Sequence, residues 1–273
     1  APFPDSVHPH PVASKKQSTK GTGSVAALRT GKSGKSGGAS ITWKDVKPWL
    51  VLIVVFLSFR TFGLQAYRIP SGSMIPTLLI GDWLFVNNLV FGPNIPFTDI
   101  NLPGYSEPKR GDVVVFKSPN QIDQPEDPNP TLVKRCVAVA GDTIFMRAGV
   151  LHVNGMPQPQ GFPFTDNIKG DGTYVSQLFE WQKAFELRGS HFGEPPAQPA
   201  LDDWGPLVVP PKHLFMLGDN RYDSKDGRYW GFVPRENVRG RPLFVYYSYR
   251  DDSDRPWPAI TDIRWGRLGT IIR

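Results

Sequence analysis

Cysteine and histidine are scarce in this chain. One cysteine, Cys136, in 273 residues excludes an internal disulfide framework and a thiolate zinc cluster. The five histidines are scattered, with His8 and His10 near the start and His152, His191 and His213 far apart. No HExxH or CxxC spacing occurs, so neither a metal hydrolase nor any bound metal or cofactor is expected. Long apolar runs are nearly absent too. The single candidate, Trp49–Ser58, is apolar up to its last residue.

Charge of one sign is missing from most of the chain. Before Trp49 there are eight lysines and arginines against two aspartates, which is the whole formal excess of +6. The remainder is neutral. A nucleic-acid-binding domain carries its basic face on the folded part, so no nucleic-acid partner is expected. A basic tail beside an apolar segment is instead the positive-inside pattern of a membrane protein. The segment GKSGKS at 31–36 invites a phosphate-loop reading. Its register fails, because Arg29 and Ala26 stand where the first glycine should, and no strand precedes it.

What is present is proline, glycine and aromatic residues: 28 Pro, 27 Gly and 12% aromatics favour short strands joined by turns. Residues 1–46 hold too little apolar area to offset their ordering entropy and read as a disordered basic tail. Residues 47–67 read as a transmembrane anchor of about 20 residues, with Trp49 and Tyr67 at the two interfaces and Arg60 snorkelling. From 68 on, strand-like runs cover Asp82–Val86, Asp112–Lys117, Leu132–Val139, Thr143–Met146, Val150–Val153, His213–Leu217 and Leu243–Tyr249. Asn154-Gly155 is a hairpin signal. Residues 156–209 alternate weakly and read as an inserted cap. The expected architecture is therefore a β-rich catalytic core over 68–155 and 210–273 with that cap between.

Three segments carry candidate chemistry. Ser71-Gly72-Ser73-Met74-Ile75-Pro76 is a tight, exposed turn of the kind a nucleophile needs. Lys134 and Arg135 sit inside a strand-like run, so they face opposite ways and one must turn inward. Burial lowers a lysine pKa, and a desolvated lysine can take a proton from serine; arginine cannot. Two solvated cations on an edge strand is the alternative. Gly218-Asp219-Asn220-Arg221 through Gly231 is too polar for core and too aromatic at its end for a linker. By composition alone it is equally a solvated turn.

Together the pieces RIPSGSMIPTLLIGD (68–82), RGDVVVFK (110–117), LVKRCVAVAGD (132–142) and LGDNRYDSKDGRYWGFV (217–233) resemble the bacterial type I signal peptidases. That resemblance implies a Ser/Lys dyad, with Ser73 as nucleophile and Lys134 as general base. It implies an oxyanion hole from the Ser73 N–H and the Ser71 hydroxyl. Ser224 would orient Lys134, and Asp226, Arg228 and Asp219 would support the loop. Met74, Leu78, Leu132 and Val133 would line small pockets for the residues before the cleavage site. The implied fold is mainly β, a twisted antiparallel, barrel-like core with one N-terminal transmembrane helix. The implied partners are signal peptides of exported preproteins, the lipid bilayer and the export translocon. The enzyme would sit in the cytoplasmic membrane with its tail inside and its catalytic part outside. The chain departs from the family at Tyr222-Asp223, where Asp-Asn or Asn-Asn is usual, and at Gly227, often Ser. Cys136 stands where a small residue is usual. Three other readings stay open on the residues alone: a self-cleaving repressor, a Ser/Lys maturation protease of a secretion or conjugation system, and a non-catalytic anchored peptide-binding β-domain.

Overall fold

The computed structural model describes residues 42–58, 63–95, 98, 102–121, 125–158, 179–221 and 223–273. The expected tail over 1–41, Arg60 and Tyr222 lie outside them. The first element is helix α1, Trp43–Ser58, which starts inside the stretch expected to be tail. The Asp45 carboxylate accepts from the Thr42 N–H and hydroxyl at 2.9 and 2.6 Å and holds its first turn. Its apolar residues from Trp49 to Leu57 are all exposed.

Among the described residues eleven strands follow: β1 Leu64–Arg68, β2 Asp82–Asn87, β3 Val113–Lys117, β4 Thr131–Val139, β5 Thr143–Arg147, β6 Val150–Val153, β7 Met156–Pro157, β8 Trp204–Val208, β9 His213–Leu217, β10 Val233–Pro234 and β11 Val238–Ser248. They form two antiparallel sheets, in the orders β1-β2-β11-β3-β4-β9-β10 and β7-β6-β5-β8. The mainly β expectation is met. Leu64–Tyr67 was expected to complete the apolar span, but it is strand β1, paired with Trp83–Asn87 of β2. Among the described residues no helix is long and apolar enough to cross a membrane. Residues 156–209 were expected to form an inserted cap or second subdomain, and their described part contributes strands to a second, four-stranded sheet. β7 and β8 extend the sheet begun by β5 and β6, and β8 pairs directly with β5.

The reason lies in the core. Trp204 and Leu207 of β8 pack with Ile144 and Met146 of β5 and with Phe215 and Leu217 of β9 in one buried cluster. The two sheets therefore share apolar surface, worth about 1.5–3 kcal/mol for each fully buried large side chain. β3 is buried on both faces. Val113 and Val115 face a cluster with Met74 and Leu78, while Val114 and Phe116 face one with Cys136 and Leu214. A continuous apolar run is what such a strand requires. The Asn154-Gly155 signal is realised as the β6–β7 turn, with φ of 52° and 80°. Positive φ at both central residues is the hairpin geometry those residue types favour.

Candidate active site

β4 positions the site because it changes partners part-way. Thr131–Arg135 pairs with β3 on one side. On the other side β9 pairs only from Arg135 onward. One edge of 131–134 therefore has no strand partner among the described residues. The turn 71–78, which follows β1, is packed beside Lys134 there. Lys134 is only 3% exposed. Its Nζ lies 2.5 Å from Ser73 Oγ, within hydrogen-bond reach. Ser71 Oγ lies 3.4 Å from the same oxygen.

Burial disfavours the charged amine and is the main reason the Lys134 pKa falls to about 8 from 10.5. Asp226 opposes this, Arg228 assists it, and Asp223 and Asp219 oppose it more weakly. Asp226 is itself engaged elsewhere. Burial alone would raise its carboxyl, but Arg228 outweighs that and holds it below the ordinary value. Arg228 Nε and Nη2 reach its two oxygens at 2.9 and 3.0 Å, and the Gly218 N–H adds a bond at 3.1 Å. A carboxylate so occupied supports the loop and leaves the lysine amine largely uncompensated.

Arg135, the next residue, is also buried. It donates to both oxygens of Asp219 at 2.7 Å and to the Gly111 carbonyl at 2.6 Å. Thr77 Oγ1 donates to Asp219 at 2.5 Å. This network ties the serine turn, β4 and the 218–221 loop together. Neither cation is solvated, so the edge-strand alternative does not describe this strand.

The 218–221 loop meets the serine turn at close range. A Cβ on Gly218 would lie 2.2 Å from Ser224 Oγ and 2.5 Å from the Ser73 carbonyl, so only glycine lets the three segments converge. Asn220 clamps the turn, its N–H donating to the Ser73 carbonyl at 3.1 Å and its Nδ2 to Gly72 O at 3.2 Å.

Between β1 and β4 lies a narrow cleft of about 70 Å³. Ile69, Ser73, Met74, Leu132, Val133 and Lys134 are on its walls, with Tyr67 at the β1 side.

Residues 42–247 match the family described as signal peptidase, peptidase S26. The chain belongs to this family. It is 32% identical to signal peptidase I of Pseudomonas aeruginosa over 240 residues, 82% of this chain and 78% of that protein. It is 30% identical to signal peptidase I of Aquifex aeolicus over 244 residues, 79% of this chain and 88% of that one. As a member of the signal peptidase family it is an enzyme, a serine endopeptidase.

Leu78 and Ser224 lie behind the cleft surface. Leu78 is not on the cleft wall. It is fully buried behind Met74 because its N–H bonds back to the Met74 carbonyl at 2.9 Å, which turns the chain inward. Ser224 Oγ is buried but makes no hydrogen bond, and the lysine amine is bonded to Ser73 instead. Four contributors went unnoticed in the sequence: Thr77, Gly218, Asn220 and Tyr67. Only their membership of the quoted motifs or of the segment just before them pointed to them. Neither His152 nor His213 lines the cleft. His213 opens β9, about 17 Å of strand away from Gly218 at 3.4 Å per residue. His152 stacks on Phe145, ring centroids 4.7 Å apart. Cys136 is fully buried, and burial pushes its thiol up to about 12, so it behaves as a small hydrophobe.

Proposed function

We propose that this chain removes N-terminal signal peptides from exported preproteins, with Ser73 as nucleophile and Lys134 as general base. The observation that carries the reading is a lysine amine, desolvated and bonded to a serine hydroxyl at 2.5 Å. A neutral Lys134 takes the Ser73 proton as Oγ attacks the scissile carbonyl carbon. The oxyanion is stabilised by the Ser73 N–H and the Ser71 hydroxyl. Lys134, now an ammonium, gives its proton to the departing amine, and the acyl group stays on Ser73. Water then attacks the ester, Lys134 accepts its proton, and that proton returns to Ser73 Oγ as the acid leaves.

The substrate lies extended between the two strand edges that face the cleft, β1 and residues 131–134. Backbone pairing supplies affinity with little demand on sequence. The apolar walls Ile69, Met74, Leu132 and Val133 leave room for small side chains only, so Ala-x-Ala before the cut is the preferred pattern. Steric exclusion of a large residue discriminates more strongly than a missing methylene, worth about 1–3 kcal/mol.

The exposed apolar helix α1 and the basic tail before it support a membrane anchor. Its 16 residues rise roughly 24 Å, short of the roughly 30 Å hydrocarbon core of a bilayer. The catalytic part lies on the outer face of the cytoplasmic membrane, near the export translocon and the emerging preprotein. Protease added to intact spheroplasts should digest the catalytic part and spare the tail; the reverse pattern refutes this topology. For the chemistry, an acylating serine-reactive inhibitor should add its mass to the peptide containing Ser73. Label on another residue, or preprotein cleavage by Ser73→Ala at the wild-type rate, would show the nucleophile to be wrong.

A further inference from the structure

The serine turn has two faces. On one, Ser71, Ser73 and Met74 line the cleft. On the other, a Cβ built on Gly72 would lie 3.0 Å from Ile75 Cδ1 and 3.6 Å from Asp223 Oδ2. Neither Ile75 nor Asp223 lines the cleft. Ile75 opens instead onto a groove of about 360 Å³ with Leu79, Ile80 and Asp252. A substrate segment that passed over this second face after the scissile bond would meet Asp223 beside the turn.

We propose that Asp223 determines specificity for the segment beyond the scissile bond, favouring a cation and disfavouring an anion in its first residues. This rests on the reading of Ser73 as nucleophile. Asp223 is exposed, and among the described residues no cation is paired with its carboxylate. Its backbone N–H bonds to the Asn220 carbonyl at 3.3 Å, and Asn220 in turn holds Gly72 and Ser73. The backbone that carries this carboxylate is thereby tied to the serine turn. The carboxylate's charge also reaches the Lys134 amine, which places it near the reacting centre. Farther along the groove Asp251 is already paired with Arg68 at 2.7 Å, and Arg264 is bonded to the Ile80 carbonyl at 2.7 Å.

The test uses the full chain in detergent micelles and three peptides identical except at the second residue after the cut, which is Lys, Gln or Glu. Two unit charges about 8 Å apart in a water-like medium change a rate constant by a factor of about 2.4 for each sign. The wild type should therefore prefer the Lys peptide to the Glu peptide by about sixfold in kcat/KM at low salt. Asp223→Asn should reduce that ratio to about twofold or less, and Asp223→Glu should keep most of it. In roughly 1 M salt the wild-type ratio should collapse, since the screening length falls to about 3 Å. A Lys-to-Glu ratio unchanged by Asp223→Asn, with the Gln peptide cleaved normally by the wild type, overturns this inference alone. Failure of the wild type to cleave the Gln peptide at all overturns the inference and the nucleophile reading together.

Discussion

Lys134 and Arg135 are neighbours on one strand and both are buried, but the two sides of β4 treat their charges differently. On one side Arg135 meets a carboxylate through two parallel bonds and a backbone carbonyl through a third. On the other, the Lys134 amine donates to a neutral hydroxyl, while the nearby carboxylate of Asp226 is held by Arg228. A buried cation with a matched partner keeps its charge and serves structure. One without a matched partner loses affinity for its proton and becomes available as a base. Adjacent residues on one strand thus separate scaffold from chemistry.

The largest effect expected from breaking this contrast is Lys134→Arg, which places the Arg135 side chain type on the catalytic side. Guanidinium does not give up its proton, so activity should fall by at least about 10⁴, as when one member of a catalytic unit is removed. Measurable turnover near the wild-type level in a preprotein assay would remove Lys134 from the base role.

Next comes the same substitution at both positions. Arg135→Met leaves Asp219 buried and unpaired, and should destabilise the fold by about 3–5 kcal/mol in denaturant unfolding. Lys134→Met removes an uncompensated amine and keeps the apolar stem, so at neutral pH it should be at least as stable as the wild type while inactive. Equal destabilisation by the two variants would erase the distinction drawn here.

A smaller loss is expected for Ser71→Ala, which touches the transition state but neither cation. Removing one oxyanion donor should lower kcat by about 10²–10³ with stability unchanged. A wild-type kcat would mean that the Ser71 hydroxyl, 3.4 Å from Ser73 Oγ, does not face the oxyanion.

Much of this contrast was legible in the sequence, and the limits of that reading are physical. Lys134 and Arg135 were bound to face opposite ways because a strand alternates. That both would be buried was not, because Arg135 depends on Asp219, which lies 84 residues away. The strand from Val113 to Lys117 was visible in its unbroken apolar run. β1 was not, because Leu64–Tyr67 adjoins an apolar segment and becomes strand only through its pairing with β2. β8 was hidden by Gly205 and Pro206, residues poor in strands; Trp204 and Leu207 anchor it through packing instead. Ser73 stood out in its motif, whereas the clamp from Asn220 and the close approach at Gly218 exist only once distant segments meet. Leu78 was expected at the pocket from its place in the motif, which says nothing of the direction in which the turn sends its side chain.

The account depends most on the amine of Lys134 losing its proton far below the pH at which a free lysine does. Its folded pKa of about 8 lies below the ordinary 10.5. The sign of the linkage follows from that order. Above 10.5 the lysine is neutral folded or unfolded and costs nothing. As pH falls from 10.5 toward 8 the unfolded chain binds the proton first. A penalty to folding of roughly 3 kcal/mol therefore develops and remains constant below about 8. Cleavage should accordingly rise with pH through an acid limb near 8. The direct measurement is an NMR titration of Lys134 Nζ in the full-length enzyme, assigned by comparison with Lys134→Met. A midpoint near 8 that coincides with the activity limb is the predicted result. A midpoint near 10.5, with the enzyme fully active at neutral pH, would contradict the assignment of Lys134 as the base.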